Sequence, residues 1–361
     1  MRRRLVMIFL VVVGVLMAGY GTAYVASDDV RYLTRAGIEQ TRILEARRPI
    51  ARLIEDRHTP PETRRMLKLV LDARDFAAEI GFKAGETYTT YVDVGRDTLL
   101  LVLSASPRNC LCPYTWKYPI VGRIPYKGFF DPRMARNEAG RLERKGYDIY
   151  LRPAGAFSTL GWFNDPLYST AMSSDSVELA ATVLHEIAHN TLYVKSATPF
   201  NESFAQLAGY RATEVFFRRR GSEVAATQAA NRWLDEVALG GYYTELAHRL
   251  DSLYRSVTDS AAIDSGRAEL GRWARAQLQG PVGQQLKTYT IGPMADRPIN
   301  NARLIAARIY RTRLELLEQW YQHEGGDIQR AVGDLATLLQ GAEGDSAFAR
   351  LEAAVQGTSE K

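Results

Sequence analysis

The chain has 361 residues, with 46 Lys+Arg against 41 Asp+Glu and a formal charge of +5. Arg2, Arg3 and Arg4 crowd the N-terminus and leave about +2 on the body, which argues against a nucleic-acid partner, since that needs a dense basic face. Hydrophobic residues at 46% and charged residues at 24% exclude a mostly disordered, collagenous or multi-span membrane chain, and two cysteines cannot build a disulfide scaffold.

Leu5 to Ala26 contains no charged residue and is long enough to cross a bilayer as a helix. The preceding arginines favour a cytoplasmic N-terminus, so the body is expected to face outward. The expectation is a single-pass inner-membrane protein with residues 27–361 in the periplasm or exterior. A cleaved signal peptide competes, with Gly21-Thr22-Ala23 offering small residues to a signal peptidase.

Arg31 to Glu55 has helical periodicity. Thr59-Pro60-Pro61 predicts a second helix, capped by Thr59 and running to about Ile80, with Gly81 as its stop. Residues 87–94 and 99–103 are β-type runs, Tyr118 to Phe130 reads as short strands and turns, and 131–145 reads as helix. A further strand follows at 147–151. From Ser176 onward the pattern is almost all helical, apart from a loop-like stretch from Gly280 to Pro298. The expected fold is α+β and predominantly helical, with a small β-sheet in the first half and one domain, 27–361, after the membrane segment 1–26.

One motif carries chemistry: His185-Glu186-Ile187-Ala188-His189, within the apolar helical segment 176–194. Spacing of i,i+4 puts both imidazoles on one face, one turn apart, able to chelate one tetrahedral ion such as Zn2+. Glu186 can take a proton from a neighbouring water and pass it to a leaving amine. Leaving two histidines and a glutamate without a partner in an apolar helix would cost several kcal/mol, and a metal resolves that cost. Surface placement of the two histidines is the plainer alternative.

A third ligand lies nearby. Thr198-Pro199-Phe200-Asn201-Glu202 predicts a new helix with Thr198 as cap and Glu202 in the first turn. Ala205 and Gly209 near its face would let two antiparallel helices pack closely and bring the carboxylate to the histidines. Two His and one Glu with an open fourth position make a hydrolytic zinc site. Favourable placement of Glu202 near a helix N-terminus is the alternative. Arg218-Arg219-Arg220 then complements the dipole at the other end, with Gly221 as stop, and an anionic-lipid contact is the alternative for these arginines.

The motif, followed by Leu192-Tyr193-Val194 and Phe200-Asn201-Glu202-Ser203-Phe204-Ala205, resembles the bacterial putative aminopeptidase family of membrane-associated zincin metallopeptidases. Pro119-Ile120-Val121-Gly122, Tyr126-Lys127-Gly128-Phe129-Phe130, the stretch from Ser158 to Pro166, and Asn300-Asn301-Ala302-Arg303-Leu304 look like family blocks. The resemblance covers most of residues 30–320. It implies a zincin-like, gluzincin-like domain and removal of N-terminal residues from peptides. Family members often begin as lipoproteins; here Leu16-Met17-Ala18-Gly19-Tyr20 carries tyrosine where the lipid-bearing cysteine would be, so a transmembrane anchor is the natural substitute.

The other candidates are weaker. Cys110 and Cys112, one residue apart, read as structural thiols or a strained pair. His58, His248 and His323 stand alone and read as surface or hydrogen-bonded residues. Zincins use a Tyr, His or Arg to stabilise the tetrahedral oxyanion, and Tyr289 and Tyr310 are candidates by position. Asn300 and Asn301 either cap a helix or present amides to substrate. Gly155 to Thr159 is either a loop or an edge strand that holds extended peptide. The expected function is hydrolysis of peptide or protein substrates outside the cytoplasm, with zinc held by His185, His189 and Glu202 and Glu186 as general base. The alternative is a non-catalytic, membrane-anchored binding or assembly protein with a structural zinc site. An intact Glu186 and only three apparent ligands favour the enzyme.

Overall fold

Helix α1 (Arg2–Ala26) carries the apolar run outside the core, with Leu5, Ile8, Phe9 and Leu16 all exposed. By length and composition it can cross a membrane, and its place near the N-terminus suits an anchor or a signal sequence. The structure, a computed structural model, describes residues 2–118, 122–156 and 166–358.

The helix expected across 31–55 is interrupted. Helix α2 (Asp28–Glu45) ends before strand β1 (Arg48–Pro49), and α3 (Ile50–Glu55) restarts the helix. Pro49 is the cause, because it biases Arg48 away from helical backbone and cannot donate a helical hydrogen bond. Thr59 does not cap the next helix: α4 (Pro61–Glu79) begins at the second proline, with Pro60 extended at the N-cap. A proline restricts the residue before it, so Pro61 holds Pro60 out of the helix. Gly81, at φ 85°, ends α4 as expected.

Among the described residues, three small sheets replace the single one expected. Strands β2 (Thr90–Val92) and β8 (Leu167–Tyr168) join β1 in the order β1-β2-β8. Strand β3 (Leu100–Pro107) sits between β6 (Lys127–Phe129) and β7 (Tyr147–Ala154), antiparallel to both. Strands β4 (Trp116–Tyr118) and β5 (Gly122–Ile124) form a separate ribbon. Helix α5 (Pro132–Glu143) covers the central sheet, burying Ala135 and Leu142 with Leu103, Ala105 and Phe129.

The second half is helical. It runs through α6 (Ser176–Thr191), α7 (Thr198–Arg219), α8 (Glu223–Ser256), α9 (Ser260–Gln279), α10 (Gly292–Ala295), α11 (Asn301–Ile309), α12 (Leu314–His323), α13 (Ile328–Leu338) and α14 (Ser346–Thr358). The stretch 280–298 is loop-like except for α10. It is held by buried Asp235, which accepts hydrogen bonds from the backbone N–H groups of Lys287 and Thr288. Helices α6 and α7 lie in the main core, with Leu184, Ile187, Phe200 and Phe204 fully buried among residues of α4, α8, α12 and α13.

Candidate metal centre

Helix α6 starts at Asp175, whose carboxylate accepts the N–H groups of Val177 and Glu178 at 2.9 and 3.3 Å. It stops at Thr191 rather than Val194, because Leu192 is extended at φ −139°. Leu184, Ile187 and Ala188 are buried, whereas His185, Glu186 and His189 lie on a half-open face. The motif therefore combines an apolar packing face with a reachable polar one.

The return to α7 uses a device absent from the sequence reading. Thr198 is the first helical residue, not the cap, and the N-cap Ala197 offers no side chain. Instead buried Asn201 clamps the connection: its Oδ1 accepts from Val194 N at 2.8 Å and its Nδ2 donates to Val194 O at 2.8 Å. With α7 starting at Thr198, Glu202 falls in the second turn, and no acidic residue occupies the first. That weakens the dipole explanation for Glu202, since the dipole effect fades beyond the first turn.

The two helices run antiparallel at close range. Glu202 meets His185 and His189, while a Cβ placed on Gly209 would lie 2.9 Å from Ala181 O and 3.2 Å from His185 Cβ. Glycine is what permits this approach. Glu202 Oε2 lies 3.5 Å from His185 Nε2 and 3.8 Å from His189 Nε2, and all three donor atoms fall within 4.8 Å of one another. Tetrahedral zinc bonds of 2.0–2.1 Å require donor–donor separations of about 3.4 Å, so this donor set fits a metal with little adjustment.

The three side chains shift one another's ionisation. Burial opposes charge on His185, but its hydrogen bond to Glu202 and the charges of Glu186 and Glu202 outweigh this and raise its pKa. Burial and the neighbouring His185 charge push His189 down to about 4. Burial would raise Glu202, yet His185 and His189 overcome it and hold the carboxyl below its ordinary value.

Tyr310, the C-cap of α11, belongs to these surroundings: burial pushes its hydroxyl up to about 12, with Glu202 and Glu186 acting in the same direction and Arg152 opposing. It stays a protonated donor at neutral pH. Burial and Glu202 likewise raise Tyr126, with Arg152 again opposing. Tyr126 lies in the aromatic block 126–130 but was not singled out there, and Arg152 follows a predicted strand with no signal of its own. Tyr289 is engaged elsewhere, hydrogen-bonded to Glu236 beside Arg311.

The remaining candidates serve the fold. Asn300 caps α11 through Arg303 N, and fully buried Asn301 donates to Pro107 O and Cys110 O. Their amides are therefore used internally rather than offered to substrate. Arg218, Arg219 and Arg220 pair with Glu214, Glu79 and Asp72, and Gly221 is the helix stop at φ 71°. Cys110 and Cys112 form a disulfide with a Cα–Cα separation of 5.3 Å. His58 is exposed beside Asp56, His248 is exposed, and His323 rests near Trp320. Phe157 to Thr159, the block at 119–121 and the residues 158–165 lie outside the described residues.

A family model described as putative aminopeptidase matches residues 31–347. No curated protein and no solved structure gives a significant match.

Proposed function

The chain belongs to the putative aminopeptidase family, and on that premise we propose a zinc-dependent, aminopeptidase-like enzyme that hydrolyses peptide bonds outside the cytoplasm. The observation that carries this reading is the convergence of His185 Nε2, His189 Nε2 and Glu202 Oε2, with Glu186 on the same helix between the two histidines. These three residues would hold the ion, in a two-His, one-Glu set that leaves a position open. Zinc bound there supplies a Lewis acid that polarises the scissile carbonyl and acidifies a water molecule. Glu186 takes the proton from the attacking water and delivers it to the departing amine. The Tyr310 hydroxyl, held protonated by burial and by Glu202, donates a hydrogen bond to the developing oxyanion, and Tyr126 lies in the same electrostatic surroundings. Arg2–Arg4 before the apolar α1 support an inner-membrane anchor with the body in the periplasm.

The test is metal analysis of purified residues 27–361 together with a peptide-library cleavage assay, with and without a chelator. Stoichiometric zinc and chelator-sensitive cleavage are expected. Cleavage indifferent to chelation would remove the metallopeptidase reading.

A further inference from the structure

A cavity of about 530 Å3, a volume that suits a side chain or a short chain end, lies against α11, a helix that packs on the Glu202-bearing α7. Its wall includes Tyr310 and four arginines, Arg152, Arg297, Arg303 and Arg311, and no carboxylate among the described residues. Arg311 is neutralised from behind by buried Glu236, with Nε 2.6 Å from Oε2. The other three form no ion pair among the described residues, and Nη1 of Arg303 is buried without a hydrogen-bond partner. An unpaired guanidinium N–H out of water is costly, and although the Arg303 guanidinium lies 5.5 Å from the Tyr150 ring, an anionic acceptor would satisfy its Nη1.

The cavity is tied to the proposed metal cluster through the helix that forms part of its wall. Arg303 of α11 and Tyr310 at its C-cap line the pocket, and α11 packs against α7, the helix that carries Glu202. The backbone also ties them: Thr312 N donates to Oγ of Ser203, the residue after Glu202, at 3.0 Å. On that packing, a peptide held at the histidines would run past Tyr310 toward the arginine-lined space.

We propose that this pocket is a substrate subsite that recognises a peptide carboxylate, either an acidic side chain or the free C-terminus of a short peptide. Guanidinium groups suit this task because their planar N–H forks match two carboxylate oxygens, and the described residues that line the pocket include no competing acid. The enzyme would then select short or acidic peptides rather than neutral, C-terminally blocked ones. This rests on the peptidase reading above.

The experiment measures calorimetric binding to the zinc-loaded Glu186→Gln protein and cleavage by the zinc-loaded wild-type protein. The probes are tetra-alanine with a free C-terminus, its C-terminal amide, and amides carrying one glutamate at each position in turn. At least tenfold tighter binding of a carboxylate peptide than of the neutral amide is expected. Arg303→Gln, and the exposed Arg297→Gln that leaves packing intact, should erase that preference while retaining zinc and melting temperature. A preference for the free terminus identifies the C-terminal carboxylate, and one for a glutamate amide identifies a side chain. Equal binding of all probes, or an equal loss for charged and neutral peptides in both variants, overturns the subsite. Arginine-dependent carboxylate binding without any cleavage by the wild-type protein would keep the subsite and sink the peptidase reading.

Discussion

The backbone N–H of Thr312 donates to Oγ of fully buried Ser203 at 3.0 Å, joining α7, the helix that carries Glu202, to the chain just after Tyr310. One hydrogen bond thus sets where a candidate oxyanion donor stands relative to Glu202. Ser203→Ala leaves this N–H without its acceptor, and the expected cost is about 1–3 kcal/mol of stability. As a positioning residue, Ser203 should affect kcat more than KM, while zinc content stays whole. Ser203→Thr should restore part of the loss. A variant with lowered stability but unchanged kcat would assign Ser203 a purely structural role.

Removing any of the three donors should remove the metal. His185→Ala, His189→Ala and Glu202→Ala are each expected to weaken zinc by tenfold or more and to lower the melting temperature of the zinc-loaded protein, because α6 and α7 lose the ion joining them. Full zinc occupancy in the double histidine variant would place the metal elsewhere. A metal spectrum unchanged by Glu202→Ala would leave only the two histidines.

Glu186→Gln separates binding from chemistry. The amide is similar in size, so fold and zinc content should survive, but it is a poor base, and turnover should fall by about three orders of magnitude or more. Near-normal kcat/KM in this variant would end the proton-transfer role.

Gly209 tests the helix spacing. An added Cβ would meet the backbone oxygen of Ala181 at 2.9 Å, a group that cannot swing aside. Gly209→Ala should therefore push α7 away from α6, destabilise the protein by about 1–3 kcal/mol, and loosen zinc binding although no ligand changes. Wild-type zinc affinity in Gly209→Ala would show that the close approach is not needed for the site.

Particular residues show what was readable in advance. His185 and His189 were legible because i,i+4 helical spacing puts both on one face, and Glu186 because it directly follows the first of them. Glu202 was legible because Pro199 marks a helix start and Gly209 marks a close approach. The helix break at Pro49, the start at Pro61 and the Asn201 clamp were not, since each depends on which of several turn-forming residues wins locally. Arg152 and Tyr126 reach the Glu202 neighbourhood from strands and turns far away in sequence, and no local pattern announces such a meeting. The division into three small sheets escaped for the same reason: pairing β2 with β8 joins residues about 75 positions apart.

The pH dependence of metal binding follows from His185. Its pKa is raised despite burial, because Glu202 and Glu186 favour its charged form. An imidazole must be deprotonated to ligate, so the ion has to displace a proton held even above the ordinary histidine value. Zinc affinity should therefore fall as pH drops through the raised His185 pKa, by about tenfold per pH unit for one competing proton. His189, pushed down to about 4, and Glu202, held below its ordinary value, start to compete only in acid, where the slope should steepen. Zinc titrations in two buffers of different ionisation enthalpy will count the released protons. About one proton per zinc near pH 6 is expected; an affinity flat from pH 8 down to pH 5 would show that His185 is not held protonated by its two glutamate neighbours.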